Sequence, residues 1–327
     1  MAEQPLRLGV LGAARIAPMA LLGPARRVPG VQVLAVAARD RARADAFAAR
    51  HRIPRVHQTY EALLADPEIE AIYNPLPNSL HAPWTIRALE AGKHVLCEKP
   101  FSATVAEAQA MADAAARSGR VLMEAFHYRY HALFAHMREL LRAGEIGTVR
   151  HLEMWFCIPL LMRNDIRWRA DLAGGALMDT GCYTVHLLRH LAEAEPDVVS
   201  ARATWTRGGV DRWLTADLRF PGDRSARLTC SLLSSIPLRL SACVTGSGGT
   251  LRVFNPIAPQ FFHRLRLDTP AGRRVERVRG PASYDAQLIA FVGAVRRGES
   301  IPTDPPDSIA NMRVIEAIYA VAGRPRA

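Results

Sequence analysis

The fold of this chain is decided by the stretch LRLGVLGAARIA, residues 6–17. Its first half, Leu6–Leu11, reads as a short apolar strand, and its second half opens a helix that we expect to reach Arg27. A strand, a tight glycine turn and a helix are the context that a dinucleotide-binding fingerprint requires. Gly12 supplies the turn and Ala17 the small packing residue, but Ala14 stands where a second glycine is usual. The stretch alone is equally compatible with a plain strand–turn–helix unit.

The second predicted strand, Val31–Ala37, bears on the choice of nucleotide. A carboxylate at the tip of this strand binds the ribose hydroxyls of NAD, whereas an arginine accommodates the extra phosphate of NADP. Ala38 occupies the carboxylate position and Arg39 follows it, which favours NADP. The alternative is that Arg39 and Asp40 only begin the next helix, Arg41–Arg50, with Asp40 as its N-cap.

Strands and helices continue to alternate as far as Glu124, which predicts a parallel, doubly wound sheet. In such sheets, ligands lie beyond the carboxyl ends of the strands. Two prolines fix the loop NPLPNSLH, residues 74–81, as an extended segment, where Asn78 either caps the next helix or faces a nucleotide. Candidate ligands follow five predicted strands: Gly12, Arg39, Asn78, Lys99 and Glu124.

Lys99 lies in the segment KHVLCEKP, residues 93–100, and is one of two lysines among the 42 Lys+Arg of the chain. A partly desolvated ammonium can release its proton, whereas a guanidinium cannot. Lys99 follows an apolar strand that Pro100 ends. The alternative is an ordinary surface lysine at a strand end, which is the position that we expect for Lys93.

From Val149 onward the pattern changes to alternating strands, several of them separated by turn signals, which predicts a predominantly antiparallel open sheet. The predicted strands are 149–157, 198–206, 213–220, 226–233, 238–245 and 250–254. One insertion, RWRADLAGGALMDTGCYTVH at 167–186, predicts a helix that places Asp179 and Tyr183 on one face. Their structural alternatives are a carboxylate that complements the helix dipole and a half-buried core aromatic. His127 and His131 have no carboxylate partner at metal-binding spacing, so we expect no metal.

Length and composition limit the classes of protein. A chain of 327 residues predicts two domains, here residues 1–125 and 126–327, with a C-terminal helix at 308–322 that can pack back on the first. The net charge of +11 is spread without a basic block, which disfavours nucleic acid as a partner. Five scattered cysteines indicate reduced thiols in the cytoplasm. We expect no membrane-spanning segment and no signal peptide, since Arg15 interrupts the apolar N-terminal stretch.

Five segments together carry a specific pattern: GVLGAARIA (9–17), YNPLPNSLH (73–81), GKHVLCEKP (92–100), MEAFHYRYH (123–131) and GGALMDTGCY (174–183). Along nearly its whole length the chain resembles the glucose–fructose oxidoreductase / inositol dehydrogenase (Gfo/Idh/MocA) family. The tyrosine four residues after Asp179 is similar to the dihydrodiol dehydrogenase and glucose–fructose oxidoreductase branch. Ala14 departs from the usual glycine of the family and bears on cofactor affinity, not on cofactor class.

The resemblance implies a Rossmann domain and a predominantly antiparallel sheet domain, a bound NAD(P), and homodimers or homotetramers formed through the open sheet. It implies Lys99 and Tyr183 as the polar groups at the reacting hydroxyl or carbonyl, with Asp179 nearby. Flanking polar and aromatic residues are candidates for substrate contact, although each is equally compatible with a surface position: Arg129, Asn164, Arg167 and Trp168. The expected cofactor contacts are Gly12, Ala13, Ala14, Arg15, Ile16, Ala38, Arg39, Pro75, Leu76, Asn78, His81, Glu98, Lys99 and Glu124.

The residues themselves are consistent with hydride transfer between a C–OH carbon and nicotinamide. Such a reaction needs a group that removes or delivers the hydroxyl proton. A tyrosine hydroxyl has an ordinary pKa of about 10 and needs a neighbouring cation to act near neutrality. Lys99 can be that cation or the proton carrier itself, and either Asp179 or Glu98 can orient its ammonium. The sequence does not decide between Lys99 and Tyr183 as the proton carrier.

Three functions follow in order of preference. The first is an NADP(H)-dependent dehydrogenase or reductase that acts on a sugar, polyol or cyclic diol. The second is a glycosidase that uses a transient oxidation by tightly held NAD, which net cofactor turnover would distinguish. The third is a non-catalytic nucleotide-binding sensor, against which the set of Lys99, Asp179 and Tyr183 argues because a binder needs no proton-transfer group.

Overall fold

The computed structural model describes residues 4–324, which divide into two compact units. The first unit comprises the described residues up to His127 together with Tyr284–Ile309. The second comprises Tyr128–Ser283 together with the described residues from Ala310 onward. The chain thus returns to the first unit after the second sheet, and the domain limits 1–125 and 126–327 stay a prediction.

The first unit contains a six-stranded sheet in which all neighbouring strands run parallel. Its order, β3-β2-β1-β4-β5-β6, is that of a dinucleotide-binding doubly wound sheet, as predicted. The order reverses between β1 and β4, so ligands are expected beyond the carboxyl ends of those strands. The strands are β1 (Leu6–Leu11), β2 (Val31–Ala37), β3 (Arg55–His57), β4 (Ala71–Asn74), β5 (His94–Cys97) and β6 (Leu122–Glu124).

The helices of the first unit begin at residues that suit helix starts. Asp40 is the N-cap of α2, as predicted, and its side chain accepts a hydrogen bond from the Arg43 N–H. Thr59 and Thr104 cap α3 and α5 in the same way. A π-helix, Pro18–Leu22, precedes α1. The helices are α1 (Gly23–Ala25), α2 (Arg41–His51), α3 (Tyr60–Ala65), α4 (His81–Glu90), α5 (Val105–Ser118) and α8 (Ser283–Arg297), whose first residue belongs to the second unit.

Lys93 is not the surface lysine that we expected. It is only 7% exposed, and its Nζ donates to the carbonyl oxygens of Asp66 and Ile69, each at 2.8 Å. Both carbonyls lie in the segment that follows α3. Carbonyl groups at the end of a helix have no N–H donor within the helix. Burial lowers the pKa of Lys93. The expectation failed because a flexible ammonium can satisfy two carbonyls that no sequence pattern marks as unpaired.

The second unit contains an eight-stranded sheet in which every neighbouring pair is antiparallel except β7 and β10. This confirms the predicted predominantly antiparallel sheet, although β13 and β14 were not predicted. The sheet order is β14-β13-β12-β11-β7-β10-β9-β8. The strands are β7 (Val149–Cys157), β8 (Asp197–Trp205), β9 (Asp211–Phe220), β10 (Arg224–Ser231), β11 (Arg239–Gly246), β12 (Thr250–Phe254), β13 (Arg264–Thr269) and β14 (Gly272–Glu276).

One face of this sheet is covered and the other is open. Along β7, buried Leu152 and Met154 alternate with half-buried Glu153 and Trp155. A helix that crosses β7 and β10 covers the face with the buried side chains. The helices are α6 (Ala132–Arg142), α7 (Cys182–Ala192), which covers the sheet, and α9 (Pro305–Ala322), which begins in the first unit. Within residues 4–324, no helix is both long and apolar enough to cross a membrane.

Candidate functional site

The glycine turn after β1 has no room for a side chain. Gly12 has φ +83°, and a Cβ there would lie 3.1 Å from Leu76 Cδ2. Its N–H donates to the Ala37 carbonyl at 2.6 Å, which ties the ends of β1 and β2 together. Ala13, Ala14 and Ile16 are half-exposed and Arg15 is exposed, while Ala17 is fully buried. The turn therefore presents its backbone at the carboxyl edge of the sheet, as a phosphate site requires.

A small cationic cluster lies beside this turn at the end of β2. Ala38 is buried and Arg39 is exposed. Burial raises the pKa of Tyr60, against the opposing effects of the Arg39 backbone and of the charges on Arg39 and Arg43. The Tyr60 hydroxyl also lies 3.8 Å from the position of a Cβ on Gly12. The charges of Arg39 and Arg43 thus act on the Tyr60 hydroxyl near the end of β2, where a ribose 2′-phosphate is expected.

The loop after β4 is held by buried polar side chains. Asn74 Nδ2 donates to the His81 carbonyl at 3.2 Å and to Thr85 Oγ1 at 3.0 Å. The His81 ring nitrogens lie 2.8 Å from the Pro100 carbonyl oxygen and 2.7 Å from that of Leu76. Burial lowers the pKa of His81 to about 4 despite these carbonyls. His81 therefore links this loop to the segment after β5.

Asn78 does not cap the following helix. It begins a short 3₁₀-helix, Asn78–Leu80, and is half-exposed. The N-cap of α4 is Leu80, which makes no side-chain capping bond. Pro75 and Leu76 are buried in the same loop. The alternative role of Asn78 as a cap is therefore not observed, and its role at a nucleotide stays a prediction.

Glu98 and Lys99 follow β5 directly. Glu98 is 8% exposed, and its Oε1 accepts a hydrogen bond from the Tyr73 hydroxyl at 2.6 Å. The Glu98 N–H donates to the Asn74 carbonyl, which ties the ends of β4 and β5 together. Lys99 is half-buried in this segment. A fixed carboxylate and an ammonium are thus adjacent in the chain at the carboxyl edge of the sheet.

The end of β6 is held by a segment from the far end of the chain. The Glu124 N–H donates to the Thr303 carbonyl at 3.0 Å, and Thr303 Oγ1 donates to the Glu124 carbonyl at 2.8 Å. His127 stacks on Tyr284 of α8, with ring centroids 4.0 Å apart. Burial raises the pKa of Tyr284, and the nearby Glu98 adds to this effect. Tyr284 thus lies near Glu98, a proximity that no sequence pattern predicts.

In the second unit, Asp179 lies on a π-helical turn, Leu177–Gly181, that continues into α7. A π turn has i→i+5 bonds and alters the helical phase, so the predicted four-residue spacing of Asp179 and Tyr183 is not that of a regular α-helix. Tyr183 is 6% exposed, and its ring lies 6.0 Å from that of Tyr128 and 5.7 Å from that of Phe156. Short π segments are frequent at functional sites.

The start of this turn is held by a buried carboxylate. Asp211 Oδ2 accepts from the Leu177 N–H and Oδ1 from the Tyr319 hydroxyl, each at 2.8 Å. A Cβ on Gly175, which has φ +133°, would lie 2.1 Å from Asp211 Oδ1. Burial raises the pKa of Asp211 to about 6, and these two hydrogen bonds oppose the rise. The glycine therefore lets the carboxylate approach the backbone before Asp179.

Asp179 is paired with an arginine from the preceding loop. Arg167 Nε donates to Asp179 Oδ2 at 2.8 Å, and Arg167 Nη1 donates to Asp165 Oδ1 at 3.1 Å. The sequence indicated Arg167 as a candidate substrate contact and not as a partner of Asp179. Arg167 lies twelve positions before Asp179, and its loop contains two 3₁₀ turns, Ile166–Trp168 and Ala170–Leu172, so helical spacing could not predict the pairing.

The remaining candidates occupy different surroundings. Trp168 Nε1 donates to the Met162 carbonyl at 3.0 Å, and Asn164 is exposed in the same loop. The Arg129 guanidinium lies over the Phe134 ring at 4.5 Å. His131 Nδ1 accepts from the Leu133 N–H at the start of α6. The structure thus gives structural contacts for Trp168 and Arg129, and their role at a substrate stays a prediction.

Sequence reasoning missed two groups that the structure places at the candidate sites. Arg43 lies in the first turn of α2, four positions after Arg39, and that closeness in the sequence was the available signal. Asp211 begins β9 with no local pattern to distinguish it, since Tyr319 is 108 positions away in the chain.

Two family models match this chain. Residues 6–126 match an oxidoreductase family with an NAD-binding Rossmann fold, and residues 134–252 match the GFO/IDH/MocA C-terminal domain. The two matches cover the six-stranded sheet and much of the eight-stranded sheet.

Relatives of known name match along nearly the whole chain. D-xylose 1-dehydrogenase (NADP(+)) 2 of Haloferax volcanii is 39% identical over 97% of this chain and 97% of its own length. A dTDP-3,4-didehydro-2,6-dideoxy-alpha-D-glucose 3-reductase of Saccharopolyspora spinosa is 42% identical over 99% of this chain and 98% of its own. A crystal structure of a 3-ketoreductase from Actinomadura kijaniata, in complex with NADP and TDP-benzene, matches with a TM-score of 0.92 and 30% identity, covering 97% of this chain and 98% of that one.

Proposed function

Because this chain belongs to the Gfo/Idh/MocA family of oxidoreductases, we propose that it oxidises or reduces a C–OH or C=O carbon of a sugar, polyol or cyclic diol with NADP(H). The observation that carries the proposal is the cluster of Arg39, Arg43 and Tyr60 beside the Gly12 turn. The named relatives, which include an NADP-dependent sugar dehydrogenase and sugar ketoreductases, support the same class of reaction.

The residues of the first unit fit NADP(H). The Gly12 turn supplies backbone N–H groups for the pyrophosphate, and a Cβ at Gly12 would lie 3.1 Å from Leu76 Cδ2 beside this turn. Arg39 and Arg43 bind the 2′-phosphate through charge-assisted hydrogen bonds, with the Tyr60 hydroxyl as a further donor. When bound, the nicotinamide supplies or accepts the hydride. The other proposed cofactor contacts are Ala13, Ala14, Arg15, Ile16, Ala38, Pro75, Leu76, Asn78, His81, Glu98, Lys99 and Glu124.

We assign the hydroxyl proton to Lys99 and Tyr183. The chain uses lysine only twice, and the other lysine, Lys93, is engaged with two carbonyls. An ammonium beside the reacting oxygen either donates its own proton or favours ionisation of a tyrosine hydroxyl. Asp179 is the carboxylate of this set, and Tyr73 fixes the Glu98 carboxylate next to Lys99 in the chain. Arg129, Asn164 and Trp168 are proposed on the substrate side.

The cofactor part of the proposal is tested by titrating the protein with NADPH and NADH while nicotinamide fluorescence is followed. We expect R39Q and R43Q each to weaken NADPH binding by about tenfold to a hundredfold, because a charged hydrogen bond contributes roughly 1.5–3 kcal/mol. Binding of NADH should stay unchanged. R41Q is the matched control, since Arg41 lies on the same helix and pairs with Asp45 at 2.9 Å.

Equal NADPH affinity in R39Q, R43Q and R41Q would contradict the phosphate assignment. Preferential binding of NADH by the native chain would contradict the choice of NADP(H). Turnover measurements distinguish two alternatives from a dehydrogenase or reductase. A glycosidase with transient oxidation transforms its substrate without net cofactor change, and a sensor transforms no substrate.

The proposal extends to the assembly and to the compartment. We propose a homodimer or homotetramer that forms through the open face of the eight-stranded sheet. Eight strands spaced by about 4.8 Å and about eight residues long present roughly 900 Å², which is close to the 800 Å² per partner of a stable interface.

All five cysteines are free, which supports a reducing cytoplasm. Neither nucleic acid nor a membrane is among the proposed partners.

A further inference from the structure

Three charged side chains of the second unit form a short chain of ion pairs: Asp165, Arg167 and Asp179. Arg167 Nε donates to Asp179 Oδ2 at 2.8 Å, and its Nη1 donates to Asp165 Oδ1 at 3.1 Å. The side chain of Asp165 is 0% exposed, that of Asp179 14% and that of Arg167 38%. The guanidinium therefore contacts two carboxylates through different edges of its planar fork.

Asp165 links the guanidinium of Arg167 to the backbone of the same residue. Asp165 Oδ1 also accepts from the Arg167 N–H at 3.1 Å, so one carboxylate oxygen binds both the main chain and the side chain of the same residue. The Gly175 N–H donates to the Arg167 carbonyl at 3.0 Å, which ties this loop to the turn that precedes Asp179. Both members of the Arg167–Asp179 pair are thus anchored to neighbouring backbone.

The burial of Asp165 shows that the arrangement is costly without its cation. A carboxylate removed from water loses several kcal/mol of solvation unless it is paired and hydrogen-bonded. The Asp179 charge raises the pKa of Arg167, and Asp165 adds to this effect against burial. An arginine suits this arrangement better than a lysine, because its planar fork directs separate N–H groups at the two carboxylates.

We propose that Arg167 is a positioning residue that keeps Asp179 ionised and in one orientation, and that Asp165 fixes Arg167 for this purpose. The inference rests on the proposed function, in which Asp179 takes part in catalysis. It replaces direct substrate contact as the role of Arg167, because Nε and Nη1 of its guanidinium are engaged by carboxylates. A substrate contact would act chiefly on KM, whereas a positioning residue acts on kcat.

The test compares R167Q and R167K with the native chain under saturating NADPH or NADP. In R167Q we expect kcat to fall by about tenfold to a hundredfold, as misplacement of a reacting group does, with KM for the sugar or diol nearly unchanged. The acid limb of the pH profile of kcat/KM should move to higher pH, because an Asp179 without its cation is protonated more easily. R167K should lower kcat as well but leave the acid limb near its native position.

The matched control is R169Q. Arg169 forms an ion pair with Asp171 two residues further on, but both side chains of this pair are exposed. R169Q should therefore keep the native kcat and pH profile. Circular dichroism of each variant checks that the unit is folded. If R167Q does not fold, the comparison is made with R167K.

The outcomes separate the inference from the function on which it rests. Native turnover with R167Q indistinguishable from R169Q overturns the inference alone, as does a rise in KM at unchanged kcat. Absence of turnover by the native chain with every sugar, polyol and diol overturns the proposed function and the inference together. A ¹³C titration of Asp179 in the protein without cofactor gives an independent result: its midpoint should be about one pH unit higher in R167Q.

Discussion

At the scale of single residues, the proposed chemistry depends most on Lys99. Arginine supplies nearly every cation of this chain, so an arginine at position 99 would preserve charge and remove only the capacity for proton transfer. In K99R we expect turnover to fall by about a hundredfold or more, the range of general acid–base catalysis. The affinity for NADPH, measured by fluorescence titration, should remain nearly native.

The chain offers its own control for this substitution in Lys93. Its ammonium binds two carbonyls within the first unit and lies in a buried position. K93R should therefore lower the melting temperature and leave turnover per folded molecule unchanged. Full turnover in K99R would remove Lys99 from the proposed mechanism.

Single residues also show where sequence reasoning stops. The segment around Lys99 was recognisable because strand, proline and rare lysine occur together. Lys93 was interpreted wrongly, because its acceptors are two carbonyls that lie 24 and 27 positions earlier in the chain. Likewise, the pairing of Arg167 with Asp179 depends on a folded loop, and the residue types alone equally permit a substrate contact.

At the scale of secondary-structure elements, the π turn Leu177–Gly181 is the feature that a sequence pattern could not reveal. The predicted regular helix was correct in its position, but the extra residue per turn is set by tertiary contacts. Among these is the hydrogen bond from the Leu177 N–H to the buried carboxylate of Asp211. The start of the turn thus depends on a residue of β9.

This carboxylate predicts a pH-dependent stability. Burial raises the pKa of Asp211 from 3.8 to about 6, so its contribution to stability is present below pH 3.8 and is lost as the pH rises through 6. The loss is on the order of 3 kcal/mol. D211N keeps an acceptor for the Leu177 N–H and does not titrate. Its stability relative to the native chain should therefore increase between pH 4 and pH 7, as measured by urea unfolding.

Asp217 of the same strand is the matched control. Arg227 is the main cause that lowers the pKa of Asp217, so this carboxylate contributes stability that is lost as the pH falls. D217N should accordingly show the opposite trend. A difference between D211N and the native chain that does not change with pH would contradict the role given to the buried carboxylate.

Other elements were predictable to within a few residues because their patterns are local. The strands 149–157 and 250–254 have the predicted bounds. The missed strand β13 does alternate leucine with arginine, and that alternation was the available signal. The missed strand β3 has three half-buried residues and no apolar run, so its existence follows from pairing with β2.

At the scale of the whole molecule, the open sheet face predicts the oligomeric state. Trp155 lies near its centre, half-buried, with the Arg239 guanidinium over its ring at 3.9 Å. We expect light scattering to give a dimer or tetramer for the native chain, and W155E to shift it to the monomer because a buried carboxylate opposes association. R117E, at an exposed position of α5 in the first unit, should keep the native mass. A monomeric native chain would contradict the proposed interface.

The claim that this chain is an NADP(H)-dependent oxidoreductase is tested most directly by net turnover of the nicotinamide. The measurement follows reduced nicotinamide by absorbance while sugars, polyols and cyclic diols, or their carbonyl forms, are supplied in turn. We expect at least one substrate to change together with an equal amount of cofactor, and faster with NADP(H) than with NAD(H). Product without net cofactor change, or no product from any of these classes, would contradict the claim.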